Sequence, residues 1–357
     1  MPGLLTNSFY LNLFFLIIIF LCITKFALSA NLFKVKSKLS GDQQLHVNET
    51  PRIGGLLFSF SFILISIILN LLDNFQFGLE IYILTVLLFL LGFIEDLYQS
   101  LHANFRFISL LIGSIASAFF FNLPDTQISL VDKLIDYEYL QIIFFGLCIM
   151  LLINGNNMID GLNGLCIMNN LCTIFGIIIL SLIVKDNSYF YLALSIFTLL
   201  LTLLFFNFPN AKLFLGDSGA YVIGLLVSFL LINFFYDYSE FNPLIVWILV
   251  AYPISEVIFS FFRKIINKKS PFYPDRYHTH IKLFHYYKKK YGPIRSNPIS
   301  TITLSCLWLT PLIFFILGLL FEELIISLIV IYSILYLLIN LIIPNPVFDY
   351  EKITKKE

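Results

Sequence analysis

The chain has 357 residues, 59% of them hydrophobic and only 12% charged, with 22 basic residues cancelling 22 acidic ones. Soluble domains carry about a quarter charged residues, so a soluble fold is excluded. The balanced charge says nothing of partners, and nothing in the chain calls for nucleic acid. The five cysteines, Cys22, Cys148, Cys166, Cys172 and Cys306, form no C-x-x-C pair and indicate neither a disulfide frame nor a zinc site.

A membrane span needs about 20 apolar residues. By that measure the sequence predicts an all-α polytopic membrane protein with about 11 helices, near 9–30, 53–72, 79–94, 107–123, 139–154, 165–184, 189–206, 219–236, 243–262, 299–319 and 324–343. The first run is too long for a cleaved signal peptide and reads as an anchor. No repeat, low-complexity segment or soluble domain interrupts residues 1–357, which form a single integral-membrane unit. The largest piece outside the bilayer is the basic loop 263–298. Basic residues set the orientation. Nineteen of the 22, among them Arg52, Arg106, Lys212 and all ten between Arg263 and Arg295, fall on one set of loops, whereas Lys133 and Lys185 fall on the other. The basic side is the cytoplasmic one, and the N-terminus is expected to be periplasmic.

Four polar blocks, at Glu95-Asp96, Asn154–Leu165, Phe214–Gly219 and the loop after the ninth span, share that cytoplasmic side with the segment around Arg52. Hydrocarbon does not accept such residues unless they face water or a charged partner, so each is a candidate site. His46–Gly55 enters the second span with Arg52, a cation for a phosphate or a snorkelling side chain. Glu95-Asp96 follows the third span. In Asn154–Leu165, Asn154, Asn157 and Asp160 stand at i, i+3 and i+6 and share one helical face, with Asn163 beyond. Phe214–Gly219 sets Asp217 and Ser218 between glycines, as a plain N-cap or as a close approach to a ligand. The loop after the ninth span carries Arg276, His278 and His280, a set suited to an anion rather than to zinc. Glu256, on one helical face with Arg263, reads as part of a structural ion pair or as support for the site, the former preferred. Carboxylates with neutral amide donors suit a hard cation such as Mg²⁺ that also binds phosphates.

Together these blocks resemble the polyprenyl-phosphate N-acetylhexosamine-1-phosphate transferases (the glycosyltransferase 4 family), in particular the bacterial WecA-like branch. Thr50-Pro51-Arg52-Ile53-Gly54-Gly55 resembles the family's T-P-R-x-G-G. The Asn154–Leu165 block matches N-x-x-N-x-x-D-G-x-D/N-G-L, Phe214–Gly219 matches F-x-G-D-x-G, and residues 275–285 resemble the His-rich loop. Two departures stand out: Glu95-Asp96 replaces an Asp-Asp pair, and His278-Thr279-His280-Ile281 lacks the third imidazole of H-x-H-H.

The resemblance implies a transfer at the cytoplasmic face of the bacterial inner membrane. Undecaprenyl phosphate would attack a UDP-N-acetylhexosamine, giving undecaprenyl-pyrophosphoryl sugar and UMP and initiating a surface polysaccharide such as O-antigen. It implies Glu95, Asp96 and Asp160 as catalytic residues. Asn157 and Asp217 would be ligands of Mg²⁺ (or Mn²⁺), and Arg52, Arg106, Asn154, Asn163, Arg276, His278 and His280 would bind substrate. The lipid bilayer is the medium, and a homodimer is compatible. The alternatives are the phospho-N-acetylmuramoyl-pentapeptide transferase of peptidoglycan synthesis and, from another class, a cation-coupled transporter, whose ionisable groups would lie near the midplane within repeated halves.

Overall fold

A computed structural model of the chain describes residues 2–29, 50–71, 77–268 and 277–346. The described residues are helical, without strands. In chain order the helices are α1 (Pro2–Ser29), α2 (Gly54–Leu71), α3 (Leu79–Tyr98), α4 (Ala103–Phe120), α5 (Ser129–Leu134), α6 (Glu138–Ile159), α7 (Leu165–Val184) and α8 (Asn187–Asn207). There follow α9 (Gly216–Asp237), α10 (Leu244–Leu249), α11 (Ala251–Ile266), α12 (Thr279–Thr303), α13 (Ser305–Trp308), α14 (Thr310–Leu320) and α15 (Ile325–Ile342).

Ten described segments are long and apolar enough to cross a membrane, and the protein is a multi-pass membrane protein. The ninth expected span, near 243–262, is broken into α10 and α11 at Val250. Pro253 accounts for the break: it has no N–H to donate, and its ring crowds the carbonyl of residue 249, where α10 ends. The expected loop 263–298 is also corrected. From Thr279 onward it is α12, kinked at Gly292 (φ 75°), where Pro293 follows. Lys282, counted above among the loop's basic residues, is buried with its Nζ donating to the carbonyl and side-chain oxygens of Asn340.

The helices pack around α9. Its apolar window is 89% buried, against 22–56% for the other spans. Membrane helices gain little from hydrophobicity when they associate, because lipid is as apolar as leucine; small residues that admit close contact do the work. On α9, Gly219 meets Gly55 of α2, and Gly224 meets Ile153 of α6, where an added Cβ would lie 2.7 Å from the Ile153 Cα. Two polar segments are thereby brought together. Gly54 and Gly55 donate to the carbonyls of Phe214 and Leu215 (2.9 and 2.8 Å), and Phe214 donates back to Pro51 (2.9 Å). The entry to α2 is zipped onto the entry to α9.

Candidate active site

The C-terminal end of a helix is the wrong place for acids, because the dipole there is negative. Yet α3 runs to Tyr98, four residues past the expected end, so that Glu95 and Asp96 occupy its last turn. Both carboxylates are held from outside. Asp96, fully buried, accepts from the backbone amides of Asp217 (2.9 Å) and Ser218 (3.0 Å) and from the Ser218 hydroxyl (2.6 Å). These are the first amides of α9, whose own N-cap, Leu215, offers no side-chain acceptor. Asp96 is thus the N-cap of a helix 121 residues away. Gly216 makes the approach possible: its φ is +78°, and an added Cβ would fall 2.5 Å from the Asp96 carboxylate.

Around this cap lie two cations and two more acids. Arg52 Nη1 is 3.7 Å from Asp96 Oδ1, and Arg106 Nη1 lies between Glu95 Oε1 (3.3 Å) and Asp217 Oδ2 (3.4 Å). Glu95 Oε2 also accepts from the Leu101 amide at 3.0 Å. Asp160, the C-cap of α6, lies within the field of the same charges. Burial pushes its carboxyl well above the usual range; the negative charges of Asp217 and Asp96 add to this, and Arg52 opposes it. Three expected blocks, with Arg52, therefore converge on the N-terminus of α9.

Asn154, Asn157 and Asp160 are half-buried, whereas Gly155, Asn156 and Ile159 between them are buried. The expected shared face is the open one. Asn163 differs: 7% exposed, it donates from Nδ2 to the Pro209 carbonyl (2.8 Å), and its backbone N–H donates to Asn297 Oδ1 (2.8 Å). Its carbonyl accepts from the Thr301 hydroxyl (2.8 Å), and Gly164 N–H donates to Asn207 Oδ1. Asn207, Asn297 and Thr301 hold the block's tail and were not singled out in the sequence. The signal was there for Asn297, a polar Ser-Asn step leading into an apolar run.

The fourth block stands apart. His278 and His280 are 7% and 2% exposed, and their nearest charged partner is Glu256, whose Oε2 is 3.2 Å from His278 Nδ1. Glu256, expected in an ion pair with Arg263, is instead hydrogen-bonded to His278. Arg263 lies over the ring of Phe259, 5.1 Å from its centroid. Arg276 lies outside the described residues, as do residues 46–49.

Asp96 has both oxygens committed to α9, so it is no ligand for a cation. Asp217 Oδ2 takes Arg106 at 3.4 Å, and Asn157 lies on the open face of α6. Among the described residues no three acidic, His or Cys side chains group as a metal cage. One carboxylate with an amide oxygen fits Mg²⁺, which keeps waters and takes substrate phosphates as further ligands.

Residues 79–235, from α3 through α9, match the model of the family described as glycosyl transferase family 4. The chain is 30% identical over 247 residues to the undecaprenyl-phosphate alpha-N-acetylglucosaminyl 1-phosphate transferase of Thermotoga maritima, covering 69% of this chain and 71% of that protein. It belongs to glycosyl transferase family 4. A probable undecaprenyl-phosphate N-acetylglucosaminyl 1-phosphate transferase of Bacillus subtilis is 27% identical, with 68% of each chain covered. The phospho-N-acetylmuramoyl-pentapeptide-transferase of Nautilia profundicola is 28% identical over 55% of this chain and 63% of its own. As a member of the family the protein is a sugar-phosphate transferase. The matched stretch holds Glu95, Asp96, Arg106, the Asn154–Asn163 block and Asp217.

Proposed function

We propose that the protein transfers an N-acetylhexosamine 1-phosphate from a UDP-N-acetylhexosamine to undecaprenyl phosphate at the cytoplasmic face of the bacterial inner membrane. An oxygen of the lipid phosphate attacks the β-phosphorus of the sugar nucleotide. The bond from that phosphorus to the bridging oxygen breaks, and UMP leaves. The observation that carries this reading is the convergence of Asp96, Asp160 and Asp217 with Arg52 and Arg106 at the N-terminus of α9.

Both reactants are anions, so charge neutralisation and alignment are the catalytic problem. Arg52 is 23% exposed and Arg106 28%, which leaves both guanidinium groups reachable by a phosphate. Arg106 is already fixed between two carboxylates and presents its remaining N–H donors as a rigid fork. Asp217 and Asn157 would hold Mg²⁺, or Mn²⁺ in its place, and the bound ion would neutralise phosphate charge. Asp160, at the end of the open face of α6, is placed to orient the lipid phosphate. That phosphate is largely ionised near neutral pH, its second pKa being about 6, so little proton abstraction is required. Asn154 lines the same face one turn earlier.

The test is UMP release by the purified full-length protein given undecaprenyl phosphate and a panel of UDP-N-acetylglucosamine, UDP-N-acetylgalactosamine, 6-deoxy analogues and UDP-N-acetylmuramoyl-pentapeptide. Turnover with a UDP-N-acetylhexosamine, lost in Asp217→Ala and in excess EDTA, is expected. Turnover with the pentapeptide nucleotide alone would assign the chain to the peptidoglycan step, the reading favoured by the Nautilia relative. Full activity in EDTA would remove the metal from the mechanism.

A further inference from the structure

The first half of α12 has no role in the reading above, yet it gathers the densest positive charge among the described residues. Lys288, Lys289 and Lys290 are followed by Arg295, and the sequence holds no acidic residue from Tyr277 to Phe321. Among the described residues none of these four cations is ion-paired. Two of them stand over rings instead: Lys288 Nζ is 5.9 Å from the centroid of Phe284, and Lys290 Nζ is 5.1 Å from that of Tyr291. A run of lysines on a helix is ordinarily a solvated face, so position decides what this one meets.

Gly292 (φ 75°, ψ 166°) turns the chain within α12. Tyr287 Oη lies 3.2 Å from Thr303 Oγ1, although 16 residues separate them. Along a straight helix that separation would be about 24 Å. Residues 279–291 therefore fold back beside residues 293–303 as a helical hairpin with Gly292 at its tip. The base is fixed: Glu256 of α11 caps the first amide of α12, that of Thr279, at 3.2 Å, as Asp96 caps α9, and Lys282 holds Asn340 of α15. The tip is open, since an added Cβ at Gly292 would meet nothing within 4 Å. On the second arm, Asn297 Oδ1 accepts from the Asn163 amide, which sets the hairpin at the same end of the molecule as the candidate site.

Depth follows from the contact between the two arms. Thr303 stands just before α13 and α14, the apolar part of the last-but-one span. Tyr287 is therefore held at the bilayer boundary, and the three lysines follow it within one helical turn, at headgroup depth. Tyr286, Lys289 and Lys290 stand at i, i+3 and i+4, so they share one face, and all three are exposed. Leu283 and Phe284, on the other side of the helix, are buried, while Ile294 beyond the tip is 62% exposed. Tyrosine suits the headgroup level, where one end of the ring is apolar and the other wet, and lysines there gain from anionic lipid.

We propose that the outer face of this hairpin is a docking surface for anionic phospholipid. Lys289 and Lys290 donate to headgroup phosphates, Lys288 and Arg295 add charge, and Tyr286 and Ile294 enter the boundary between headgroup and acyl chain. Each lysine or arginine held at an anionic surface strengthens the association about fivefold, and salt screens it. The consequence for the site is positional: lipid holds the hairpin from outside, while Asn297 and Thr301 hold the backbone of Asn163 from inside. The occupant is bulk phospholipid such as phosphatidylglycerol, not the lipid substrate, and the inference does not depend on the transferase reading.

The experiment is lysine footprinting of the full-length protein in nanodiscs of phosphatidylcholine, of phosphatidylcholine with phosphatidylglycerol, and of phosphatidylcholine with undecaprenyl phosphate. Reductive methylation by formaldehyde, an uncharged reagent, is read by mass spectrometry at Lys288, Lys289 and Lys290. Lys133, exposed on α5 at the far end of α4 from Arg106, is the internal reference. Phosphatidylglycerol should slow the three lysines about fivefold, leave Lys133 unchanged, and lose its effect at high salt. Equal rates with and without phosphatidylglycerol overturn the proposal. Equal slowing at Lys133 would mark a general surface potential and overturns it as well. Protection by undecaprenyl phosphate but not by phosphatidylglycerol would give the face to the lipid substrate, again against the proposal. As a second measurement, the phosphatidylglycerol retained through detergent purification should fall in Lys288→Gln/Lys289→Gln/Lys290→Gln, and retention equal to the parent's overturns the docking surface.

Discussion

Replacing Asp96 with Asn separates the two jobs that this carboxylate could hold, because the change preserves shape and removes only charge and one acceptor. In the parent, Oδ1 takes the Asp217 amide while Oδ2 takes the Ser218 amide and hydroxyl. An Asn side chain, either way round, faces one of the two amides with an NH₂. The Ser218 hydroxyl can turn and accept, but an amide cannot. One buried N–H left unpaired costs about 1–3 kcal/mol, and the lost charge at a buried helix N-terminus costs up to ~2 more. The Arg52 contact at 3.7 Å, partly exposed, adds little. A total of about 1–5 kcal/mol lowers the melting temperature by roughly 2–10 °C at ~2 °C per kcal/mol, the low end of the scale that suits a long chain. Intrinsic fluorescence melting of the detergent-solubilised protein measures it, with UMP release followed well below both transitions. Ser218→Ala keeps the amide bond and should cost no more than about 1 kcal/mol. Folded Asp96→Asn should turn over ~10²-fold slower, the scale for a positioned charged group. A variant that melts with the parent refutes the cap; one that melts early yet matches the parent's rate refutes the catalytic role and leaves the cap.

Asp160→Asn should act the other way on stability. Its carboxyl is pushed up by burial and then by Asp217 and Asp96, so the folded state holds that proton more tightly than the unfolded chain. The stabilisation is complete at low pH and declines as pH rises from the ordinary carboxylate range toward the raised value. In EDTA at neutral pH the Asn variant should melt higher than the parent while losing at least ~10²-fold in rate; a lower melting temperature would show that the ionised carboxylate is satisfied where it stands. Orientation is tested by single-cysteine labelling at positions 95, 160, 217 and 278 in intact spheroplasts, where all four should be protected from an impermeant reagent. Labelling of any one would break the common cytoplasmic face.

How far the sequence carried the site depended on whether the determining contact was local. Apolar runs long enough for a bilayer are local, and ten of the eleven fall on described segments long and apolar enough to span one. The face shared by Asn154, Asn157 and Asp160 is local too, since period and spacing fix it. The break between α10 and α11 was also signalled locally by Pro253, but a run of the right length masked it. The two caps supplied from other helices were illegible for a different reason. Asp217 and Ser218 look like candidates to cap their own helix, and nothing in Phe214–Gly219 says that the acceptor lies 121 residues earlier. Likewise Glu256 was matched with Arg263 on its own helix, whereas its partners lie 22 and 23 residues on. Lys282 was read as a surface cation although Ile281, Leu283 and Phe284 around it form an apolar run.

The Glu95 departure from the family's Asp-Asp pair has an explanation in the same geometry, and it revises what Glu95→Asp should do. By charge alone the substitution restores the commoner pair and keeps most activity. In the structure, however, Glu95 spans two partners: Oε2 takes the Leu101 amide beyond the end of α3, and Oε1 takes Arg106, which also holds Asp217. The extra methylene lets one side chain close the turn into α4 and still reach the guanidinium. An Asp at this position, one carbon shorter, keeps its charge near Arg106 but cannot hold both partners without a shift of the turn. The bond most easily given up is the one to Leu101, at the edge of the site, because the ion pair is anchored from its far side by Asp217. Glu95→Asp should therefore retain turnover within a few-fold and cost about 1 kcal/mol of stability for the lost amide bond. Glu95→Gln keeps the reach to Leu101 and loses the charge, so it should melt near the parent but slow turnover by ~10²-fold. Melting curves and UMP release on the two variants separate reach from charge. If Glu95→Gln is as active as the parent and Glu95→Asp is not, Arg106 is held by Asp217 alone and Glu95 serves only the turn.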